Sequence, residues 1–289
     1  MKKADAASQL QWLALSLSPN IGAATLKNLL DYFDQDLNAI LTAPTHELMQ
    51  VRGVGAKIAS EISAIDLERL AQDIEKWRAG GIELLLSGEE GYPPPLNSVS
   101  DFPLALFASR VLGAGVWANA VAIVGTRAPS KEARYITLQL AMQLARGGRA
   151  VVSGLALGID TAAHSGALAV DGETVAVLGS GICNIYPEAN RQLAERIRAR
   201  GALLSETHPR WSANAQRLVA RNRIISGLSQ AVIVVESDAD GGALHTAQFA
   251  REQGKPVFTF DLPASGNQRL IAGGAVVLRR DEPLRELPG

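Results

Sequence analysis

The sequence lacks the features that mark a secreted, membrane-embedded or strongly basic protein. Its 289 residues include one cysteine, Cys183, which excludes a disulfide framework and a thiolate metal cluster. The formal net charge is -1, so no global positive field draws the chain to nucleic acid. No signal-peptide pattern and no apolar run of membrane length is present. We therefore expect a cytoplasmic protein with no membrane partner, whose anion-binding surface is local.

Aromatic residues are also scarce, at 5% of the chain, so any base-stacking platform rests on few side chains. Tyr186 is the best-placed loop aromatic, whereas Trp211 is interpreted as a packing residue. Cys183 is expected to be a small buried residue, and His164 to pack or cap within its helix. Because no His, Asp and Glu spacing indicates a metal site, we expect no metal, no cofactor and no catalytic residue.

The first 80 residues show helical periodicity and predict a small all-α domain, residues 1–80. Two segments in it resemble each other, Pro19–Ala24 and Gly53–Lys57. The second fits the hairpin of a helix-hairpin-helix motif, in which glycines allow the bend and the amides of the next helix hold a DNA phosphate. The alternative is a helical bundle that uses glycine to turn corners and contacts protein.

Residues 81–289 predict an α/β domain built on a parallel sheet. Apolar runs alternate with amphipathic helices from about residue 121 to 281, which indicates a parallel sheet covered on both faces. Two earlier runs, 82–86 and 104–107, look like an extension of this sheet. The other predicted strands are 121–124, 150–153, 174–178, 203–204, 231–235, 257–260 and 275–278.

Glycine, serine or threonine follows several of these strands. Ala150–His164 is the clearest example. An apolar strand is followed by a turn that contains glycine, and a helix then starts at Asp160, which is predicted to cap it. Glycine lets backbone approach a ligand, and helix N-termini offer amides to an anion. The alternative is an ordinary tight connection, and the lack of G-x-G-x-x-G after the first strand disfavours a dinucleotide site. The candidate ligand-facing positions are Gly125, Ser153, Gly154, Gly158, Gly179 and Gly181.

Arginines cluster in the same half of the chain. Four lie between Glu206 and Glu236 without a carboxylate among them, namely Arg210, Arg217, Arg221 and Arg223. Arg127 and Arg191 adjoin loops at strand ends. Because a guanidinium can hold phosphate through two hydrogen bonds, these residues predict a groove for a phosphate backbone at the carboxyl edge of the sheet. Arg217 is interpreted instead as solvated surface.

Five segments together resemble the DprA (Smf) family of DNA-processing proteins. They are Val124–Arg127, Ser153–Leu168, Ala176–Asn190, Leu203–Glu206 and Arg221–Glu236, in family order. The resemblance implies an extended Rossmann fold and a homodimer. It also implies that the protein binds and shields single-stranded DNA and helps load the RecA recombinase during DNA recombination and natural transformation.

The resemblance also implies particular DNA contacts. They are Arg127, Ser153, Gly154, Asn190, Arg191, Arg221, Asn222 and Arg223. The N-terminal helices resemble the family's accessory domain, of sterile-alpha-motif or helix-hairpin-helix type. The chain resembles a divergent member: Leu218–Ala220 stands where the family has Phe-Pro, and no winged-helix domain is expected after Gly289.

Two other functions compete with DNA binding. Related lysine-decarboxylase-like Rossmann proteins bind or hydrolyse nucleotides with a P-G-G-x-G-T-x-x-E loop, and this chain has Gly241-Gly242 with Gln248 in place of the glutamate. A scaffold that joins protein partners through the helical N-terminus and the sheet is the third interpretation.

Overall fold

A computed structural model describes residues 6–18 and 20–288. Residues 1–5, Pro19 and Gly289 lie outside the described residues. Pro19 is the first residue of the predicted Pro19–Ala24 hairpin. The chain divides into two compact units, Met1–Glu90 and Gly91–Gly289. None of the described helices combines the length and apolar character that crossing a membrane requires.

The first unit is mainly helical. Its helices are α1 (Ala6–Ser16), α2 (Ala23–Tyr32), α3 (Leu37–Thr42), α4 (Thr45–Leu48), α5 (Ala56–Ser63) and α6 (Leu67–Ala79), followed by β1 (Glu83–Leu86). Aspartates cap two of these helices: Asp36 accepts a hydrogen bond from the amide of Ala39 at 3.0 Å, and Asp66 accepts one from Arg69 at 2.9 Å. Apolar side chains from several helices form the buried interior, including Leu13, Leu29, Ile40, Leu48 and Ile62.

The two glycine hairpins each lead into a helix. Gly22 precedes α2 and Gly55 precedes α5, both with extended backbone and without a side-chain cap. Gly53 adopts a φ of 87°, which a side chain would disfavour. Lys57 donates a hydrogen bond to Asn20 at 3.4 Å, which links the second hairpin to the first. DNA contact by these hairpins stays a prediction.

The second unit alternates strands and helices. The strands are β2 (Ala105–Ala108), β3 (Val121–Val124), β4 (Val151–Ser153), β5 (Thr174–Leu178), β6 (Ala202–Ser205), β7 (Ala231–Val234), β8 (Val257–Thr259) and β9 (Val276–Val277). The helices are α7 (Ala114–Ala118), α8 (Lys131–Arg146), α9 (Ile159–Leu168), α10 (Arg191–Arg200), α11 (Ala215–Ala220), α12 (Asn222–Leu228), α13 (Ala243–Glu252) and α14 (Ser265–Ala272). Short 3-10 helices span Pro94–Ser98 and Glu188–Asn190.

The strands of this unit follow the order β2-β6-β5-β4-β3-β7-β8-β9. All pairs from β6 to β9 are parallel, and β2 pairs with β6 in the antiparallel sense. β3 lies between β4 and β7, so the direction of chain winding reverses there. In an open parallel sheet this switch point opens a crevice at the carboxyl ends of the strands. The predicted α/β fold is confirmed.

The central strands are apolar because helices cover both faces of the sheet. Val121, Ile123 and Ile233 are fully buried in one cluster with side chains of α8 and α9. Ser130 starts α8 by accepting a hydrogen bond from the amide of Ala133 at 3.0 Å. These contacts fix the positions of the loops at the carboxyl edge.

Candidate nucleic-acid interface

A cavity of about 430 Å³ opens at the switch point between β3 and β7. The loops that follow β3, β4 and β7 form it together with the first residues of α12 and α13. Its lining includes Gly125, Arg127, Asp160, Arg221, Asn222 and Gly242. The fold therefore brings residues from distant parts of the chain to the predicted edge.

The loops at this edge pack so closely on one another that several of their positions have no room for a side chain. A β-carbon on Gly125 would lie 2.5 Å from the side chain of Ile159 and 2.8 Å from the carbonyl oxygen of Glu236. One on Gly158 would lie 2.7 Å from the backbone of Arg127, and its φ of 80° disfavours any side chain. The loop after β4 therefore packs directly on the loop after β3.

The remaining predicted glycines also have no room for a β-carbon. A β-carbon on Gly154 would lie 2.5 Å from the guanidinium carbon of Arg221, and one on Gly179 would lie 2.8 Å from Leu218. One on Gly181 would collide with the carbonyl oxygen of His208. Protein atoms therefore occupy the space that a side chain would need at these glycines. Ligand contact through their backbone amides stays a prediction.

Asp160 organises the loop between β4 and α9. Its carboxylate accepts hydrogen bonds from the amides of Gly154 at 3.1 Å and Ala156 at 3.2 Å, two loop residues that precede α9. Gly158, not Asp160, is the residue that precedes α9, which corrects the predicted capping role. Burial raises the pKa of the Asp160 carboxyl above its usual value, and the charge of Arg221 opposes that rise. Leu155 adopts a φ of 61° in this tight loop.

Arg221 is a buried cation below the cavity. Its guanidinium donates to the carbonyl oxygens of Gly154, at 2.5 Å, and Val177, and its Nε donates to Asn222 at 3.1 Å. Burial lowers its pKa to about 10; Asp160 opposes this shift and Arg127 adds to it. Arg221 therefore ties the ends of β4 and β5 together, and its predicted DNA contact stays a prediction.

Arg127 differs from Arg221 because its side chain is exposed. Its guanidinium makes no ion pair or hydrogen bond with another described residue, and it lines the cavity. The backbone around it is held by Glu236, whose carbonyl oxygen accepts from Thr126 at 2.7 Å and whose carboxylate accepts from Ser130 at 2.7 Å. A rigid loop thus presents a free cation.

The start of α13 also lines the cavity. Gly242 precedes this helix without a side-chain cap, and both Gly242 and Ala243 line the cavity. Asn222 donates to the carbonyl oxygen of Gly242 at 3.3 Å and joins α12 to this wall. The amides of Leu244 and His245 in its first turn already donate to the carbonyl oxygens of Gly241 and Gly242, at 3.0 and 3.3 Å. The attraction of this helix start for an anion therefore comes mainly from the helix dipole. Arg127 and the start of α13 line the same cavity.

Two other predicted contacts have structural partners. Asn190 is buried and donates to the carbonyl oxygen of Leu155 and to Thr161, both at 2.9 Å, so it fastens the Tyr186–Asn190 loop to the β4–α9 loop. Arg191 forms a two-fold ion pair with Glu188 at 2.6 and 2.7 Å on the exposed surface. It is not among the residues that line the cavity. DNA contact by either residue stays a prediction.

Arg223 is not among the residues that line the cavity. Its side chain is 9% exposed and forms ion pairs with Asp101 at 3.0 Å and Glu206 at 2.7 Å. It thereby joins the segment before β2 to the end of β6. Arg217, interpreted as solvated surface, lies half-buried with its guanidinium carbon 4.7 Å from the ring centre of Trp211.

The structure corrects one further expectation and confirms another. Cys183 is exposed, because its neighbours Ile182 and Ile185 take the buried positions of that loop. His164 packs in the interior: its Nδ1 lies 2.7 Å from the hydroxyl of Thr174. Burial, with a smaller effect from the charge of Arg221, lowers the pKa of His164 to about 3.

Sequence reasoning missed the anchoring roles of Asp160 and Glu236, since their partners are backbone amides that no side-chain pattern reveals. It also passed over Ser237 and Thr246, which line the cavity from the β7 side. Among the described residues, no three His, Cys, Asp or Glu side chains are placed to hold a metal ion.

Fold and site define a class: a Rossmann-type α/β protein with an arginine-lined cavity at the switch point of its sheet. A family model described as DNA recombination-mediator protein A matches residues 83–287. The chain belongs to this family, the one that the sequence motifs resemble.

Curated relatives agree with this assignment. Protein Smf of Synechocystis sp. is 36% identical over 295 residues, which cover 96% of this chain and 71% of the relative. DNA processing protein DprA of Bacillus subtilis is 34% identical over 269 residues, which cover 90% of each.

Solved structures of two relatives share the fold. DprA of Streptococcus pneumoniae is 29% identical with a TM-score of 0.78, over 98% of both chains. DNA processing protein A of Helicobacter pylori is 28% identical with a TM-score of 0.62, over 70% of this chain and 93% of that one. The Helicobacter structure is described as giving insight into a single-stranded DNA binding mode.

Proposed function

We propose that this protein binds single-stranded DNA at the switch-point cavity and acts as a recombination mediator. The observation that carries the proposal is the exposed guanidinium of Arg127, which has no partner among the described residues and lines the same cavity as the uncapped start of α13. An arginine in such a position binds phosphate through paired, charge-assisted hydrogen bonds.

The binding mode follows from the shape and charge of the cavity. Its volume of about 430 Å³ suits one nucleotide of a flexible strand. A double helix is too wide to enter, so its phosphates would meet only the rim. The buried charge of Arg221 lies near that of Arg127, is offset in part by the Asp160 carboxylate that lines the same cavity, and is held in place by its hydrogen bonds. The site therefore favours an unpaired strand.

Family membership supports the remaining parts of the proposal. The family is named for recombination mediators, and the Helicobacter relative is described through single-stranded DNA binding. We propose that this chain shields the strand and helps load RecA during recombination and natural transformation, as a homodimer and without catalysing a reaction on the DNA. Among the remaining predicted contacts, Ser153 is buried and its hydroxyl donates to the carbonyl oxygen of Ile123 at 2.6 Å, so it would support the end of β4 from inside the sheet.

The proposal is tested by fluorescence anisotropy with a labelled single-stranded oligonucleotide at several salt concentrations. Arg127→Ala is expected to weaken binding about tenfold, because one charge-assisted phosphate contact is lost. The slope of log affinity against log salt should decrease by about 0.7, the value for one phosphate contact on a single strand.

Arg110→Ala is the matched control. Arg110 is exposed and follows β2, which runs antiparallel to β6 and so ends at the opposite edge of the sheet. Its replacement should change neither the affinity nor the salt slope. Equal effects of the two substitutions would contradict binding at the cavity. Release of free base from a panel of nucleotides would instead support the nucleotide-hydrolase interpretation.

A further inference from the structure

A groove of about 610 Å³ is lined by α13, by α14 and by the loop that follows β7. It shares only Gly241 with the switch-point cavity, so the two spaces have almost entirely different walls. Leu244, Leu270 and alanines of both helices make much of the lining apolar. A space of this size and character suits a small organic molecule.

Two arginines line the groove, and their charges are not matched by a carboxylate. Arg251 donates to the carbonyl oxygen of Gly273 at 3.0 Å, and Arg269 donates to that of Ala239 at 3.3 Å. Among the described residues, these uncharged acceptors are the partners of the two guanidiniums. Each guanidinium has five N–H groups, so both keep donors for a ligand.

The position of Arg251 is built into the end of α14. A β-carbon on Gly273 would lie 3.2 Å from the guanidinium of Arg251, so a side chain there would crowd that group. Arg269 precedes Gly273 by four residues and therefore lies on the same face of α14. Arg251 thus meets α14 about one helical turn from the residue that carries the second guanidinium.

We propose that this groove binds a small phosphate ester of the nucleoside diphosphate type, with the phosphates on Arg251 and Arg269 and the base against the apolar walls. A guanidinium holds phosphate oxygens through paired, charge-assisted hydrogen bonds. The imidazole of His245, which also lines the groove, adds a further hydrogen-bonding group. The inference goes beyond the proposed function and does not depend on it.

The charge balance of the groove favours an anion. Asp240 is the one carboxylate among the lining residues, against two guanidiniums. Glu252 follows Arg251 in the chain but does not line the groove, and its carboxylate accepts a hydrogen bond from Gln248 at 2.9 Å. The remaining net positive charge attracts phosphate, and removal of the Asp240 charge should strengthen that attraction.

Isothermal titration calorimetry on the full chain tests the site, with ADP, pyrophosphate and adenosine as the probes. ADP and pyrophosphate should bind, whereas adenosine, which has no phosphate, should give no heat. Arg269→Gln keeps an amide donor for the carbonyl oxygen of Ala239 and is expected to weaken ADP binding about tenfold. Asp240→Asn should raise the affinity for ADP about two- to threefold, because Asp240 is exposed and its repulsion is screened by water.

Arg110→Gln is the matched control, since this exposed arginine lies outside the groove. It should leave ADP binding unchanged, and thermal unfolding of each variant checks that the fold is kept. The absence of heat with both ADP and pyrophosphate, or equal losses in the Arg269 and Arg110 variants, would overturn the proposal.

Two further measurements identify where the phosphate binds and where it comes from. Arg127→Ala should leave ADP binding unchanged, and a loss in that variant would place the ligand in the switch-point cavity and overturn the proposal. A single-stranded oligonucleotide should not displace ADP. Displacement, together with weaker DNA binding by Arg269→Gln, would overturn the small ligand in favour of a second contact to the DNA strand.

Discussion

The buried imidazole of His164 makes the stability of the second unit sensitive to acid. Its side chain is 0% exposed, and burial together with the charge of Arg221 lowers its pKa from 6.5 to about 3. Below about pH 6.5 the unfolded chain binds a proton at this residue that the folded chain does not bind. Stability is therefore lost as the pH falls from about 6.5 toward 3.

The size of the effect follows from the two pKa values. A solution at about pH 5 is about 1.5 pH units below the pKa of the unfolded histidine. Each of these units lowers the free energy of unfolding by about 1.4 kcal/mol. His164 should therefore remove about 2 kcal/mol from the free energy of unfolding between about pH 7.5 and pH 5. The loss stays close to this value as long as the folded pKa is well below 5.

Urea unfolding followed by far-UV circular dichroism measures the effect at both pH values. His164→Gln removes the titrating group, so the variant should lose about 2 kcal/mol less than the parent protein over the same range. Other titrating groups are common to both proteins and cancel in this difference. An equal loss of stability in the two proteins would refute the assignment of the acid sensitivity to His164.

Two further substitutions, Gly154→Ala with its control Gly115→Ala and Glu188→Gln, test the packing and the charge of the loops. Gly154→Ala should lower the free energy of unfolding by about 1–3 kcal/mol, because the added methyl would overlap the guanidinium of Arg221. Gly115→Ala, in α7 with open space around it, should be neutral or stabilising in the same urea titration. Glu188→Gln should release Arg191 and raise affinity for single-stranded DNA two- to threefold, with a salt slope steeper by about 0.7. An unchanged slope would remove Arg191 from the interface.

Much of the fold could be predicted because its signals are local. The apolar runs that predict β3 and β5 match the observed strands Val121–Val124 and Thr174–Leu178 at both ends. Buried parallel strands are apolar throughout, so each one is visible in a few consecutive residues. The family motifs are equally local, and they identified the family from the sequence.

The sequence could not show why glycine occupies particular positions in the loops. Gly154 and Gly158 were expected to make room for a ligand, whereas their α-carbons face Arg221 and the backbone of Arg127. A glycine looks the same in a sequence whether a ligand or a neighbouring loop comes close to it. The exposure of Cys183 has a similar origin, since only the folded loop decides which residues take its interior positions.

The sequence by itself determined the α/β class, the order of strands and helices, the family, and the position of arginines at the ends of strands. Only the tertiary structure decided which arginine is free. Arg223 is paired with Asp101 and Glu206, Arg221 is held by backbone carbonyl oxygens, and Arg127 keeps its guanidinium exposed. The physical reason is that a guanidinium is satisfied by whichever acceptors the fold brings near it, and those acceptors are far away in the sequence.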